Sequence, residues 1–177
     1  MLLAVPYQTI ELAKFHIDPF YTDKKERRIA PLFYKDRGLT FTGCAIQMPP
    51  MPLLSYDATT NRVQLDCAKA LGNKLHAIQD LIANHIYSQR HLFSEPSSQC
   101  SLRDIHGILQ KLYLPGVLTV YAYPTTPVRT ETGSGMLHTV GTGRPLQCVL
   151  RLHGLLLLEN RGTPHIRIQH SIVALSV

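Results

Sequence analysis

Two aliphatic runs, Val149–Leu158 and His165–Val177, close the chain with an alternation of period two, which fits extended strands and not helices. In the first run Leu150, Leu152, Gly154, Leu156 and Leu158 share one face, opposite Arg151 and His153. In the second, Ile166, Ile168, Ile172 and Ala174 oppose Arg167, Gln169 and Ser171. The apolar faces of two antiparallel strands coincide only across a loop of odd length. Glu159 is therefore expected opposite His165, with Asn160-Arg161-Gly162-Thr163-Pro164 as the turn. The result is a ribbon with an aliphatic underside and a basic, polar upper surface, and a chain ending this way must be organised around a sheet.

The remaining segments support the same architecture. Leu32–Lys35 and Leu39–Met48 flank Asp36-Arg37-Gly38, a hairpin turn in which Gly accepts positive φ. Pro49-Pro50-Met51-Pro52 lacks three of four backbone donors and reads as an edge or a connection. After a turn over Asp57–Asn61, Arg62–Cys67 alternates with Val63, Leu65 and Cys67 inward. From about Asn73, Leu75, Ile78, Ile82, Ile86 and Phe93 recur at helical spacing, widened by Leu71, Leu81 and Leu92. Ser101 and Asp104 form a capping box for a second helix that buries Ile105, Ile108, Leu109 and Leu112 and stops at Pro115-Gly116. Val117–Tyr123 is a strand with Leu118, Val120 and Ala122 inside. Residues 124–145, rich in Pro and Gly, predict a flexible loop or a loosely paired hairpin.

The expected fold is mainly β with a helical insertion: a β-barrel, OB-fold-like, with one long and one short helix before the last three strands. Residues 1–28 are read as an N-terminal arm, and 29–177 as the OB-fold-like domain carrying the flexible loop 124–145. At 177 residues and 45% hydrophobic the chain can bury one core. Its apolar runs are too short or too interrupted for the roughly 20 residues of a membrane helix. Met1–Val5, stopped by Pro6, lacks the pattern of a secretory leader. Cys44, Cys67, Cys100 and Cys148 are widely spaced, which predicts reduced thiols in an intracellular protein.

Enzyme signatures fail one by one. Gly133-Ser134-Gly135 and Gly141-Thr142-Gly143 precede Arg144-Pro145 and a strand, where a phosphate loop needs a helix N-terminus. His165 and His170 fall on opposite strand faces, and His76 and His85 on opposite sides of the helix, so neither pair predicts a metal site. Asp104 and His106 do not face each other, and no nucleophile elbow or metalloprotease motif occurs. The reading is therefore no enzyme, no cofactor and no metal, although dispersed acidic residues leave a small hydrolase or nuclease as a third choice.

The net charge of +6 suits an anionic partner. Residues 113–177 carry five arginines, no lysine and only Glu131 and Glu159 as acids. Single strands are bound by cations along a groove and by exposed rings that stack on unpaired bases. Tyr121 and Tyr123 leave one strand on its non-core face, Arg151 and Arg167 lie on the outer side of the closing ribbon, and Arg129 lies nearby. Phe33, Tyr34, Lys35 and Arg37 follow the basic run Lys24, Lys25, Arg27 and Arg28. Each feature has a plainer reading: the tyrosines as cross-strand packing, the basic run as a solvated turn, Arg151 as an ordinary surface arginine.

The closing Val149–Leu158 with Ile166-Arg167-Ile168-Gln169, the stretch Leu39–Pro52, the alternating Arg62–Cys67 and the amphipathic helix after it resemble one known family. It comprises the single-stranded DNA-binding proteins of large DNA viruses and, similarly, of short-tailed phages. The resemblance spans about residues 30–177 and lies in hydrophobic pattern more than in signature residues. It implies a non-enzymatic, sequence-tolerant protein that protects single-stranded DNA during viral replication and recombination, in the cytoplasm or nucleus of a host cell. It also implies replication proteins and further copies of the chain (a homo-oligomer) as expected partners, and a groove near Phe33, Tyr34, Lys35, Tyr121, Tyr123, Arg151 and Arg167. The phage members carry a long acidic tail for partner enzymes, whereas this sequence closes at Ser176-Val177 on an expected strand. The alternative is a protein–protein interaction module built on the same barrel.

Overall fold

The computed structural model describes residues 4–93, 99–160 and 163–177. Three short strands, β1 (Ala4–Pro6), β2 (Phe15–Ile17) and β3 (Tyr21–Thr22), precede the hairpin of β4 (Arg28–Asp36) and β5 (Leu39–Thr42). Then come β6 (Cys44–Gln47), β7 (Met51–Asp57), β8 (Arg62–Asp66), the helices α1 (Lys69–Ser88) and α2 (Leu102–Ile108), and the short strands β9 (Leu109–Gln110) and β10 (Tyr113–Leu114). The chain finishes with β11 (Val117–Tyr121), the pair β12 (Pro127–Thr130) and β13 (Gly133–Met136), and two long strands, β14 (Pro145–Asn160) and β15 (Thr163–Ser176).

The closing hairpin is the spine of the sheet. One edge of β14 pairs with β15 along its length, while the other edge receives β7, β6 and β4 in succession. A meander β7-β8-β11-β10 extends from β14, and the far edge of β15 takes β9 at Ile166–Arg167 and β12 at Ser176. The sheet curls until the Tyr121 end of β11 lies beside the middle of β15, but among the described residues no backbone ladder joins the two. The protein is thus mainly β with a helical insertion, and the barrel is not closed.

The closing ribbon departs from its expected register. Pairing runs through Glu159 opposite Pro164 and Asn160 opposite Thr163, so the five-residue turn does not form; Arg161 and Gly162 lie outside the described residues. The expected faces hold for Leu150, Leu152, Ile166 and Ile168 and are inverted elsewhere by two irregularities. Between Leu152 and Gly154 the ladder skips His153, and beyond that point Leu155 and Leu157 turn inward in place of Leu156 and Leu158. A second irregularity skips Val173, which turns Leu175 inward and leaves Ala174 outside. An extra residue on one strand inverts the alternation after it, and strict period two cannot foresee that.

A single core gathers residues from Ile10 to Leu175. Residues read as a separate N-terminal arm contribute Ile10, Phe15, Ile17 and Phe20 to it, and β1 lies parallel to β6. Helix α1 starts at Lys69, earlier than Asn73, since Leu71 is already buried and Gly72 lets the Tyr113 ring come close. Its Leu75, Ile78, Ile82 and Ile86 form the expected inward stripe, whereas Leu92 stays exposed. Buried Gln79 ties α1 to the β9–β10 connection: its carbonyl accepts from the Leu112 and Tyr113 N–H groups (3.0 and 2.8 Å), and its amide donates to the Tyr113 carbonyl (3.1 Å). No helix among the described residues is long and apolar enough to cross a membrane.

The capping box at Ser101 forms as expected, with the Ser101 hydroxyl accepting from the Asp104 N–H (3.2 Å) and the Asp104 carboxylate accepting from the Ser101 N–H (2.8 Å). Helix α2 ends at Ile108 instead of running to Pro115, because Leu109 and Gln110 pair in parallel with β15. Ser101→Ala is expected to lower stability by about 1 kcal/mol, read as a lower midpoint in urea at unchanged slope. The segment expected as a flexible loop or a loosely paired hairpin, 124–145, contains the β12–β13 hairpin, and its Val128 and Leu137 are fully buried.

Candidate nucleic-acid interface

The unclosed seam between β11 and β15 is an open cleft of about 450 Å³ floored by Leu112, Leu156 and Ile168. It continues past Tyr121 into a second hollow lined by Asn61, Tyr123, Thr126 and Ile172. Thr60, Tyr121, Arg167 and His170 border both. Each arrives there for a local reason. Asp57 accepts from the Thr59 N–H (2.9 Å) and the Thr60 hydroxyl (2.7 Å), and Asn61 adopts φ +57°, so the β7–β8 turn presents Thr60 at the rim. Tyr121 points outward because Val120 and Ala122 on either side are buried, and Arg167 points outward between buried Ile166 and Ile168.

Tyr121 is 38% exposed and Tyr123 70%, so both rings can be reached by a flat ligand. Strand β11 ends at Tyr121, short of the expected Tyr123, which follows two residues on and borders the same hollow. Arg62 faces Tyr121 directly across the β8–β11 ladder and is exposed on the same side. Arg167 gives Nε–H to the Gln110 side-chain carbonyl (3.2 Å), and the Gln110 amide donates to the Tyr121 hydroxyl (3.3 Å). Gln110 therefore holds the guanidinium and the ring at a fixed separation. Among the described residues no carboxylate lines either hollow or pairs with Arg167, and the Asp57 carboxylate stands behind the rim residue Thr60.

His170 completes the rim. Its Nε2 accepts from the Tyr121 N–H (3.3 Å), which requires the proton on Nδ1, and Nδ1–H then donates to the Ile168 carbonyl (3.1 Å). Its ring lies 5.8 Å from that of Tyr121. Burial, joined by the nearby charges of His153 and Arg167, holds the imidazole below its ordinary pKa, so it is neutral at pH 7.

Of the residues singled out from sequence, Tyr121, Tyr123 and Arg167 meet in this cleft, and the others do not. Tyr34 is 2% exposed, packs edge-on against Phe15 at 5.2 Å and accepts from the Glu11 N–H (3.3 Å); it belongs to the core and cannot stack on a base. Phe33 is half-buried beside His16, and Lys35 and Arg37 lie at the β4–β5 turn, where Arg37 takes φ +48° before Gly38. Arg151 folds back over Gly43 and donates to the Thr42 carbonyl (2.6 Å), which makes it a brace between β14 and the β5–β6 connection. Arg27 is paired with Asp23 (2.6 Å), and the Arg27 guanidinium holds the Asp23 carboxyl below its ordinary pKa. Arg28 donates to the Leu92 carbonyl (2.6 Å) and lies 6.0 Å from the Phe93 ring centre, while Lys24 and Lys25 are exposed on the turn before β4. Arg129 borders a different hollow, with Pro127, Gln147 and Val173.

Sequence reasoning missed Arg62, Gln110, Thr60 and His170. The alternation of Arg62–Cys67 already placed Arg62 on the outer face, whereas the other three reach the cleft through turns and pairings that no local pattern reports. Among the described residues no group of three His, Cys, Asp or Glu side chains is placed to hold a metal ion. Cys44, Cys67, Cys100 and Cys148 carry free thiols, and burial pushes the first two up to about 12 and 11 and Cys148 to about 12, which withholds the reactive thiolate. Comparison with protein families, with curated proteins and with solved structures finds no match to this chain.

Proposed function

We propose that the chain binds single-stranded DNA, without regard to sequence, in the cleft between β11 and β15. One observation carries the reading: two exposed tyrosines two residues apart share an open groove with an arginine that, among the described residues, has no carboxylate partner. Every base offers a π-face, so rings alone give affinity without sequence preference, while Arg167 and Arg62 attract the phosphates between successive bases. A duplex hides its bases inside the stack and offers such rings nothing to hold. The curled sheet supports a relation to OB-type barrels, and the resemblance in the closing hairpin extends the reading to a viral protein that coats DNA during replication and recombination. Replication proteins and further copies of the chain are the partners that this role implies.

Fluorescence anisotropy of labelled oligo-dT and of a duplex tests it. Single strands are expected to bind preferentially, and two or three phosphate contacts lower affinity about tenfold between about 50 and 200 mM salt. Equal affinity for duplex, or no binding of oligo-dT at low salt, sinks the proposal and leaves the protein-interaction module standing.

A further inference from the structure

We infer that neutral His170 is a positioning residue for the cleft, holding the end of β11 against β15, and that acid opens this seam and weakens single-strand binding. The inference rests on the proposed function for its second half only. Where a closed barrel would join β11 and β15 by a ladder, the described residues offer side chains: His170, and Gln110 between Tyr121 and Arg167. The imidazole works from both nitrogens. Nδ1–H is anchored on the Ile168 carbonyl of its own strand, and Nε2 is the acceptor for the Tyr121 N–H across the seam. A second proton on Nε2 places N–H against N–H, and the contact becomes repulsive.

The surroundings set the direction. Among the described residues the titratable and charged groups that face the imidazole are Tyr121 on β11, His153 on β14 and Arg167 on β15; two are cationic or can become so, and none is a carboxylate. The neutral form is favoured in the folded protein. The latch is therefore complete above the ordinary imidazole range and is lost as pH falls through a value beneath it. Charge alone predicts the reverse for DNA, since an added proton in a basic cleft should tighten phosphate binding. The two effects are separated by sign.

Hydrogen exchange of the Tyr121 amide tests the latch without DNA. Its protection factor is expected to fall about fivefold, the equivalent of one hydrogen bond, between about pH 7.5 and pH 5, while that of Val120 in the β8–β11 ladder holds. Equal protection of Tyr121 at both pH values overturns the inference. Oligo-dT affinity is expected to fall over the same interval in the native protein and to stay level in His170→Gln, whose amide oxygen accepts the same N–H without titrating. Tighter binding at acid pH, or the native pH profile in His170→Gln, also overturns it. A protein that binds no oligo-dT at about pH 7.5 ends the functional reading, and the amide exchange still decides the latch.

Discussion

Alanine in place of both Tyr121 and Tyr123 is expected to weaken oligo-dT binding at least thirtyfold, because each stacked base contributes about 1–3 kcal/mol and about 1.4 kcal/mol is a factor of ten. Tyr123→Ala alone is expected to melt within about 2 °C of the native protein, since Tyr123 lies outside the core and exposed substitutions usually change stability by less than about 0.5 kcal/mol. Tyr121→Ala also removes the Gln110 hydrogen bond at the seam, so affinity is compared in the folded variants. Arg151→Ala makes the matching control. Its guanidinium donates to the Thr42 carbonyl, away from the cleft, so its loss is expected to lower stability and to leave the affinity of the folded protein unchanged. Unchanged affinity in the tyrosine variant means that the rings serve packing, and the cleft is then not the binding site. Should Arg151→Ala prove the more damaging of the two to binding, the interface lies on the other edge of β14.

The parts of this architecture that were legible from the chain are those governed by local periodicity. The α1 stripe, the Ser101 capping box, the inward Val63, Leu65 and Cys67, and the outward Tyr121 all follow from spacing along one element. What escaped depends on segments distant in sequence. The skipped residues His153 and Val173 change the ribbon's register, and β4, β6 and β7 each meet a different part of β14, neither of which the spacing along one strand contains. Tyr34 sits beside basic residues in the chain, yet β2 covers it and turns it into core. Arg151 and Arg167 look equivalent on paper. Gly43 draws the first down onto a carbonyl, and the gap beside β11 leaves the second at an open groove. A barrel seam is a property of closure, which no window of residues contains.

Gly154 is where that long-range constraint is most severe, and its replacement by alanine is expected to remove about 3 kcal/mol of stability, at the upper end of the cost of overpacking. The residue pairs with Pro31 of β4 on one edge and Gln169 of β15 on the other, directly after the skipped His153. A Cβ there would stand 2.5 Å from the Ala30 carbonyl oxygen and 3.1 Å from the Pro31 Cα. Both are backbone atoms, so no rotamer relieves the contact, and β4 would have to separate from β14. Ala30 and Leu155, both fully buried beside this crossing, would lose packing with it. For a chain of this length such a loss lowers the thermal midpoint by about 6–12 °C. Gly107→Ala supplies the opposite sign from the same chemical change. Nothing lies within 4 Å of the added methyl in α2, and alanine there is expected to gain about 0.5–1 kcal/mol by restricting the unfolded chain. Calorimetry of the two variants side by side checks the β4–β14 crossing. Equal midpoints would mean that β4 does not approach β14 at Gly154, and the sheet order around the cleft would have to be redrawn.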